Sequence, residues 1–216
     1  SGLMGAGRTE LALSVFGNTP KYKLLEGEIY VEGKKVDFKT PRDATKAGLA
    51  YVSEDRKHNG LILIQDVKFN TTIANLDKLL EGVVVNENEE IIQVTEYKKS
   101  LNIKTPSIKQ LVGNLSGGNQ QKVLLAKWMF TDPEVLILDE PTRGIDVGAK
   151  YEIYCIINDL VAQGKSVVMI SSEMPELLGM SDRIYVMNEG KFVGEFMQEE
   201  ATQEKMMACI LKSKNN

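Results

Sequence analysis

The sequence predicts an α/β domain with a mostly parallel sheet, because short apolar strands alternate with amphipathic helices in its second half. A continuous apolar run over 135–138 is typical of a strand buried on both faces of a parallel sheet. The next segment, 149–162, predicts a helix with four apolar side chains on one side, Ile153, Ile156, Ile157 and Leu160. A second apolar run over 167–170 predicts another buried strand.

The remaining elements follow from turn and cap signals. The predicted helices cover 10–16, the residues from Pro41 up to Gly48, 70–80, 88–101, 119–130 and 173–178. The predicted strands cover 27–31, 49–52 and a hairpin formed by 183–187 and 191–196. Residues 66–113 are predicted to be a helical insertion without strands. A last helix with Met206, Met207, Ile210 and Leu211 is predicted to pack against a sheet.

Composition excludes several classes of protein. The net charge of −4 and the pI near 5.3 argue against a general nucleic-acid binder, which usually has a basic face. No apolar run reaches about 18 residues, the length that spans a bilayer. Two cysteines and one histidine are too few for a disulfide framework, a zinc site or a histidine triad. We expect both thiols, Cys155 and Cys209, to be buried.

The chain opens on a glycine-rich segment in which Gly2, Gly7, Arg8 and Thr9 fit the pattern G-x-x-x-x-G-[basic]-[Ser/Thr]. Such a loop surrounds phosphates with backbone N–H groups, although the usual basic residue is lysine and arginine is a bulkier, forked group. A glycine-rich turn without a ligand is an equal alternative for this loop alone. No strand precedes Gly2, so we expect the sequence to be a piece of a longer protein.

Two acids end the apolar strand. Asp139, at its tip, is placed to hold Mg²⁺ directly or through water, and Glu140 is placed to orient or deprotonate a water. Ser116, Gly117 and Gly118 open the helix that precedes this strand, which makes an anion site at a helix N-terminus. Solvated carboxylates and an ordinary helix cap are the simpler alternatives, but the three motifs in this order are more specific than any one of them.

These motifs resemble those of an ATP-binding-cassette domain. Residues 115–118 match the family signature, 139–142 match the Walker B strand end, and 144–146 fall at the D-loop. Four further segments, 54–57, 119–122, 143–150 and 171–176, resemble the C-terminal cassette in the ATP-binding subunit of bacterial simple-sugar importers of the ribose, galactose or xylose type. The resemblance implies a P-loop NTPase core with a small antiparallel β part, a helical insertion and N-terminal strands missing from this fragment.

The resemblance also implies ATP and Mg²⁺ as cofactors. It makes Glu140 the catalytic base and Thr9 and Asp139 the metal residues. The implied nucleotide contacts are Gly2, Gly5, Gly7, Arg8, Thr9, Glu54, Ser116, Gly117, Gly118 and Ser172. Three of these differ from the family pattern, since Arg8 replaces a lysine, Glu54 a glutamine and Ser172 a histidine. Loss of one transition-state contact commonly lowers the rate by about 10²–10³, so a weak ATPase site is expected here.

In such importers two cassettes are fused, and each ATP lies between the Walker motifs of one and the signature of the other. The expected partners are therefore the N-terminal cassette of the same subunit, membrane permease subunits and, indirectly, a periplasmic or extracellular sugar-binding protein, with no nucleic acid. The expected location is peripheral, on the cytoplasmic face of the cell membrane. The expected division is a partial P-loop/β subdomain (1–65), a helical signature subdomain (66–118) and the rest of the core (119–216).

Two other functions stay open on the sequence. The three altered contacts also fit a structural half that binds or hydrolyses no nucleotide. A soluble cassette ATPase without a transporter, such as a ribosome-binding or DNA-repair protein, shares the signature and Walker B motifs. Proteins of that kind usually keep the lysine and the glutamine and often add long basic or coiled insertions, whereas the insertion here is short and has no basic block.

Overall fold

Helices and strands alternate along the chain, as the sequence predicts. The computed structural model describes residues 1–2, 5–17, 21–22, 24 and 26–213. Its contacts divide the chain into a first unit and a second unit. The first unit consists of Ser1–Ala47, Ile137–Glu140 and Val168–Asn216, and the second of Gly48–Leu136 and Pro141–Val167. Each unit is therefore assembled from segments that lie far apart in the sequence.

The regular elements are named in chain order. The α-helices are α1 (Arg8–Val15), α2 (Pro41–Lys46), α3 (Val67–Thr72), α4 (Glu87–Ser100), α5 (Gly117–Met129), α6 (Val147–Ala162), α7 (Met174–Met180) and α8 (Gln203–Ser213). The strands are β1 (Ile29–Val31), β2 (Lys34–Val36), β3 (Leu49–Val52), β4 (Leu80–Glu81), β5 (Val84–Val85), β6 (Val135–Asp139), β7 (Ser166–Ile170), β8 (Arg183–Asn188) and β9 (Lys191–Met197). Short 3₁₀ segments cover 73–79, 112–114 and 198–200, and a π-helical turn covers 56–60.

A three-stranded sheet has the order β3–β6–β7. Its strands start side by side, since the Val135 N–H donates to the Gly48 carbonyl (3.0 Å) and the Ser166 N–H to the Glu134 carbonyl (2.9 Å). At the other end, the Glu140 N–H donates to the Ile170 carbonyl (2.8 Å). The strands are therefore parallel, and the residues that follow β6 and β7 meet at one edge, where ligands usually bind in α/β sheets.

Two of these strands test the predicted burial. Strand β6 is buried from Leu136 to Asp139, as predicted. The prediction that 167–170 is fully buried is wrong, because Ser166 and Val168 of β7 are exposed and only Ile170 is buried. An apolar run shows that a strand is apolar on both faces, but not that both faces are covered.

The first unit contains two antiparallel hairpins, β1–β2 and β8–β9. Helix α8 packs beside β8 in an apolar cluster formed by Leu177, Ile184, Val186, Met206 and Ile210. The predicted packing of the last helix is thus confirmed for Met206 and Ile210, which are buried in this cluster, and for Met207, which packs against it and is partly buried. Leu211 is 58% exposed, so its predicted packing is wrong. Met206 and Ile210 are four residues apart, so they lie on one face of α8, and this face is the buried one.

The second unit contains the predicted helical insertion, with one correction. A hairpin, β4–β5, lies between its helices, although no strand was predicted there. Its strands have two residues each and are joined by a two-residue turn in which Gly82 takes a φ of +67°. The first helix of the insertion starts earlier than predicted, at Val67, because the Asp66 carboxylate accepts the Phe69 N–H (2.7 Å) and caps it.

Helix α6 confirms its predicted apolar face. Its four buried residues are Ile153, Ile156, Ile157 and Leu160. The expectation of two buried thiols is wrong, since Cys155 is exposed on this helix and Cys209 is half-buried. Of the helices formed by the described residues, none combines the length and the apolar character needed to cross a bilayer.

Candidate functional site

The glycine-rich segment leads directly into α1. Gly5 and Gly7 take φ values of +79° and +90°, a region that residues with a side chain rarely occupy. Gly7 stands at the cap position of α1 and has no side chain to cap it, and the first N–H groups of an uncapped helix otherwise face water or a ligand. Residues 5–8, the part of the loop next to the helix that the structure describes, therefore have a backbone that suits an anion cradle.

This segment rests on the β8–β9 hairpin. The Met187 N–H donates to the Ser1 carbonyl (2.9 Å), and Gly2 forms a parallel bridge with Met187. At the other end, the Gly190 N–H donates to the Ala6 carbonyl (3.0 Å). A Cβ on Gly7 would lie 3.3 Å from the Gly190 Cα. This close approach favours glycine at position 7, as its positive φ does. The loop is held at both ends, whereas a Cβ added to Gly5 would meet no atom of the described residues beyond its chain neighbours within 4 Å.

Thr9 and Asp139 meet within the first unit. The Thr9 hydroxyl donates to Oδ2 of Asp139 at 2.7 Å, and Asp139 is fully buried at the end of β6. A hydroxyl and a carboxylate side by side are hard oxygen ligands of the kind that Mg²⁺ takes. The donor set therefore fits a divalent cation at the place where the sequence predicts one.

Arg8 contacts the residue predicted to be the catalytic base. Its guanidinium donates to the Ser171 carbonyl (2.8 Å) and lies 3.5 Å from Oε1 of Glu140. The two side chains are only 10% and 11% exposed, so water screens this ion pair less than one at the surface. In this arrangement the arginine that stands at the position of the phosphate-binding lysine is engaged with protein groups.

The second carboxylate oxygen of Glu140 is engaged as well. The Ser172 hydroxyl donates to Oε2 of Glu140 at 3.1 Å. Glu140 also has a φ of +48°, which is uncommon for a residue with a side chain and costs on the order of 1–3 kcal/mol. Strain of this kind persists where surrounding contacts hold the residue in place, and the contacts from Arg8, Ser172 and the Ile170 carbonyl do so.

The second unit contains the predicted signature residues, Ser116, Gly117 and Gly118. Ser116 caps α5, and its hydroxyl accepts hydrogen bonds from the Asn119 backbone N–H (3.5 Å) and side-chain amide (2.9 Å). The Asn119 carboxamide in turn accepts the Lys104 N–H (2.7 Å). The start of α5 is thus held in a defined direction, and its first N–H groups carry the positive end of a 13-residue helix dipole.

The glycine pair at this helix start has a packing reason that the sequence does not reveal. A Cβ on Gly118 would lie 2.5 Å from the Cβ of Ala149, so α5 and α6 approach too closely for any side chain there. A Cβ on Gly117 would lie 2.9 Å from a terminal nitrogen of Arg56 and 3.3 Å from the Gly144 carbonyl oxygen. Close packing is therefore the main reason for glycine at Gly118, whereas at Gly117 the nearest atom is the end of the Arg56 side chain.

Glu54 forms an ion pair with Arg143, also in the second unit. A neighbouring cation thus compensates the negative charge that stands where the family has a glutamine. Arg56, two residues on, donates to the carbonyls of Arg143 (2.8 Å) and Gly144 (3.3 Å). Burial holds the pKa of the Arg56 guanidinium below its usual range, because burial disfavours the charged form.

The structure therefore brings together five of the predicted residues in the first unit: Arg8, Thr9, Asp139, Glu140 and Ser172. Glu54, Ser116, Gly117 and Gly118 lie in the second unit. Ser171, to which the sequence assigns no role, also takes part through its carbonyl. Arg56, which the sequence suggests only as part of a local positive patch with Lys57 and Arg143, binds the Arg143 carbonyl through its guanidinium. Each of these contacts joins an arginine guanidinium to a backbone carbonyl of a distant segment, for which a sequence carries no signal.

Comparisons with known proteins agree with this geometry. Residues 1–143 match the model of the family described as ABC transporter. The chain is 59% identical to a xylose import ATP-binding protein of Thermoanaerobacter pseudethanolicus and 52% identical to a ribose import ATP-binding protein of Clostridium tetani. It is 56% identical to an L-arabinose transport ATP-binding protein of Geobacillus stearothermophilus. These matches cover 99–100% of this chain but only 41–42% of each relative.

Solved structures show the same fold. A nucleotide-free ATP-binding cassette from an ABC transporter matches with a TM-score of 0.79 and 20% identity, over 98% of this chain and 82% of that one. A second ATP-binding cassette, MJ1267, matches with a TM-score of 0.81 and 22% identity, over 96% and 85%. The predicted α/β cassette core is confirmed by these matches.

The predicted resemblance to ATP-binding subunits of sugar importers is confirmed by the names of the relatives. The family implies nucleotide binding with a divalent metal and ATPase chemistry in general, and the Thr9–Asp139 pair fits the metal. With the family model matched over residues 1–143 and the relatives over nearly the whole chain, this chain belongs to the ABC transporter family.

Proposed function

We propose that this chain is the C-terminal nucleotide-binding cassette of the ATP-binding subunit of a bacterial simple-sugar importer. The names of the curated relatives support this function, since they import or transport xylose, arabinose or ribose. Because this chain spans about 42% of the length of the xylose relative, that relative has room for a second cassette of similar size. The head-to-tail pairing of two cassettes is part of the proposal.

The nucleotide is MgATP. The backbone N–H groups of the loop with Gly2, Gly5 and Gly7 and of the first turn of α1, which contains Arg8 and Thr9, surround its phosphates. Thr9 and Asp139 hold Mg²⁺, which neutralises phosphate charge when it is bound. Glu140 is the base that orients water, and Ser172 lies beside it (3.1 Å). Glu54 lies in the second unit, and its contact with the nucleotide, which the resemblance implies, stays a prediction.

The site of this cassette is degenerate, and the Arg8–Glu140 ion pair is the single observation that carries this proposal. A lysine in the place of Arg8 would be a compact charge that reaches the terminal phosphates, whereas the forked guanidinium is bound to Glu140 and to the Ser171 carbonyl. Before Arg8 can contact phosphate, it must leave two protein partners. Ser172 supplies only one hydroxyl where the family has an imidazole.

The start of α5 serves the other cassette. Ser116, Gly117 and Gly118 present the N-terminus of a 13-residue helix, and this end attracts the γ-phosphate of the ATP bound by the partner. The main role of the chain is therefore to complete the competent site and to transmit its closure to the membrane subunits. The close packing of α5 on α6 supports this role, because it makes the helix start rigid.

The remaining partners follow from the same proposal. They are the membrane permease subunits and, indirectly, a periplasmic or extracellular sugar-binding protein, and the subunit lies on the cytoplasmic face of the membrane. Residues 66–72 of the insertion are the segment nearest to the permease. We keep the functional division into 1–65, 66–118 and 119–216. The net charge of −4 agrees with a function that does not involve nucleic acid.

The experiment compares two substitutions in the full-length subunit, assembled with its permease. Ser116→Arg places a bulky cation at the start of α5, and we expect it to abolish sugar transport. Arg8→Ala removes the ion pair with Glu140 and the hydrogen bond to the Ser171 carbonyl, and we expect transport to continue. Ser100→Arg, the same change on the exposed last turn of α4, is the matched control. If Arg8→Ala abolishes transport while Ser116→Arg does not, the assignment of the two sites is reversed.

A structural half that binds no nucleotide is the second candidate, and the engagement of Arg8 with Glu140 favours it. Titration of the full-length subunit with MgATP decides between the two when the phosphate-binding lysine of the other cassette is replaced. Residual binding that requires Thr9 and Asp139 supports a weak nucleotide site in this cassette. Complete loss of binding supports the structural half.

A further inference from the structure

We infer that Arg56 is a positioning residue that holds the Arg143–Gly144 turn against the first residue of α5. One side chain then fixes the position of the turn, which lies at the D-loop position, relative to the signature. The structural part of this inference depends on contacts within the second unit alone. Its consequence for ATP turnover rests on the proposed function.

Two hydrogen bonds join Arg56 to the turn. Its guanidinium donates to the Arg143 carbonyl at 2.8 Å and to the Gly144 carbonyl at 3.3 Å. Hydrogen bonds from a charged donor are stronger than those between neutral groups, and a planar fork fixes the direction of both acceptors. Gly144 has a φ of +67°, so the backbone here is in a conformation that few residues adopt without support.

The same guanidinium borders the signature. A Cβ on residue 117 would lie 2.9 Å from the terminal nitrogen that bonds Gly144, and 3.3 Å from the Gly144 carbonyl oxygen. Gly117, Arg56 and the turn are therefore in close contact, while the other side of Arg56 and of the turn borders an open cavity of about 440 Å³. A displacement of Arg56 or of the Gly144 carbonyl toward α5 is opposed by this contact, because the atoms are already at packing distance.

Burial gives a second argument. The Arg56 Nε is buried and has no acceptor in the part of the chain that the structure describes. A buried donor without an acceptor is unfavourable, so an apolar side chain would serve better if this position had only to fill space. The benefit of a guanidinium at this position is its two hydrogen bonds to the turn, which an apolar residue cannot make.

The segment that carries Arg56 is itself anchored. Glu54 forms an ion pair with the Arg143 side chain. The Asp55 carboxylate accepts the Lys57 and His58 N–H groups (both 3.1 Å) and caps the turn over 56–60. Two adjacent links, one through side chains and one through backbone carbonyls, thus couple the segment after β3 to residues 143–144. A movement of that segment is transmitted to the turn and to the start of α5.

Hydrogen–deuterium exchange of the full-length subunit tests the inference directly. For Arg56→Ala we expect amide exchange in 142–146 and 116–119 to rise about tenfold, the factor that corresponds to loss of a hydrogen bond from a charged donor. Arg56→Lys, which keeps one donor group, should give an intermediate rise. Lys57→Ala removes a neighbouring exposed cation and serves as the matched control with unchanged exchange. Unchanged exchange in Arg56→Ala would overturn the inference.

ATP hydrolysis by the subunit assembled with its permease gives the second readout. We expect Arg56→Ala to lower kcat about tenfold with less than a twofold change in KM, because position and not affinity is lost. Gly117→Ala should be impaired alone and partly rescued by Arg56→Ala, since the clash involves the guanidinium. Unchanged kcat, or strictly additive variants, would overturn the role in turnover. If the wild-type assembly hydrolyses no ATP, the proposed function fails while the exchange result still decides the role of Arg56.

Discussion

Arg8 has two alternative partners, the protein groups it contacts and the phosphate that the lysine at this position would bind. Its contacts to Glu140 and to the Ser171 carbonyl occupy both terminal nitrogens in a nearly buried place. A lysine at this position has one compact charge and cannot bridge the same two groups. The choice between arginine and lysine at position 8 therefore decides whether the glycine loop has a cation that is available to bind phosphate.

We predict that Arg8→Lys tightens MgATP binding by this cassette about tenfold, equal to about 1.4 kcal/mol. The lysine gains a phosphate contact and gives up the ion pair with Glu140. The measurement is a calorimetric titration of the full-length subunit in which the other cassette is disabled. Arg183→Lys, an exposed arginine of β8, is the control without an effect. Weaker binding in Arg8→Lys would contradict the prediction.

Asp55 offers a prediction on pH. The pKa of its carboxyl lies below its ordinary value, first because the His58 N–H donates to it and then because the His58 ring does. Since the pKa is lower in the folded protein than in the unfolded chain, the ionised Asp55 carboxylate stabilises the fold. This stabilisation is complete above about pH 4 and is lost as the pH falls through the lower pKa of the folded protein. We predict that His58→Ala raises the Asp55 pKa only part of the way, because the backbone donor remains. Carboxyl NMR titration measures both values, and an identical pKa in the two proteins would refute the assignment.

At the scale of elements, the approach of α5 to α6 is the decisive packing feature. Gly118 faces Ala149, and the buried Lys122 of α5 forms an ion pair with Glu152 of α6. Lys122 also donates to the Asn102 carbonyl (2.8 Å). Steric fit and charge pairing therefore hold the signature helix against its neighbour.

We predict that Gly118→Ala destabilises the fold by about 1–3 kcal/mol, the usual cost of overpacking a filled space. The added Cβ would lie 2.5 Å from the Cβ of Ala149, so Ala149→Gly should recover most of the loss. Gly179→Ala in α7 is the matched control, because a Cβ there meets nothing within 4 Å and alanine favours a helix. Thermal unfolding of the full-length subunit provides the comparison. A double variant as unstable as Gly118→Ala would exclude this contact as the cause.

The elements also show what can be predicted from a sequence. The buried face of α6 follows from its 3.6-residue period, and the cap of α2 follows from Thr40 and Pro41. The β4–β5 hairpin was missed because two residues per strand are too few to show alternation. The exposure of Val168 was missed because coverage of a sheet face depends on other segments.

The candidate site shows more strongly that contacts between distant segments cannot be predicted from the sequence. The glycine loop, the two acids and the signature could be predicted because each is a local pattern of residue types. The engagement of Arg8 with Glu140 and the exclusion of a side chain at Gly118 could not, because both depend on distances between segments far apart in the chain.

At the scale of the whole molecule, the proposal is one of asymmetry between two cassettes. The carboxylate of Glu140 is bonded by Arg8 and by Ser172, which leaves neither of its oxygens without a protein partner. Most of the turnover is then expected from the other cassette, whose site is completed by Ser116 and the glycine pair of this chain.

We predict that Glu140→Gln in the assembled importer lowers sugar transport less than about threefold. The corresponding substitution in the other cassette should lower it at least about 10²-fold, as removal of a general base does. Transport of radiolabelled sugar into vesicles measures both. Equal losses in the two variants would show that the cassettes turn over alike and would contradict the asymmetry.

The exposed thiol of Cys155 has a practical consequence. It lies on α6, the helix that packs against the signature helix, and the second cysteine, Cys209, is half-buried. Once Cys209 and any accessible cysteine of the other cassette are replaced by serine, a maleimide fluorophore attached to the native Cys155 would report the distance to a dye on the proposed permease in real time. The transport cycle could then be followed by energy transfer without an engineered attachment point in this cassette.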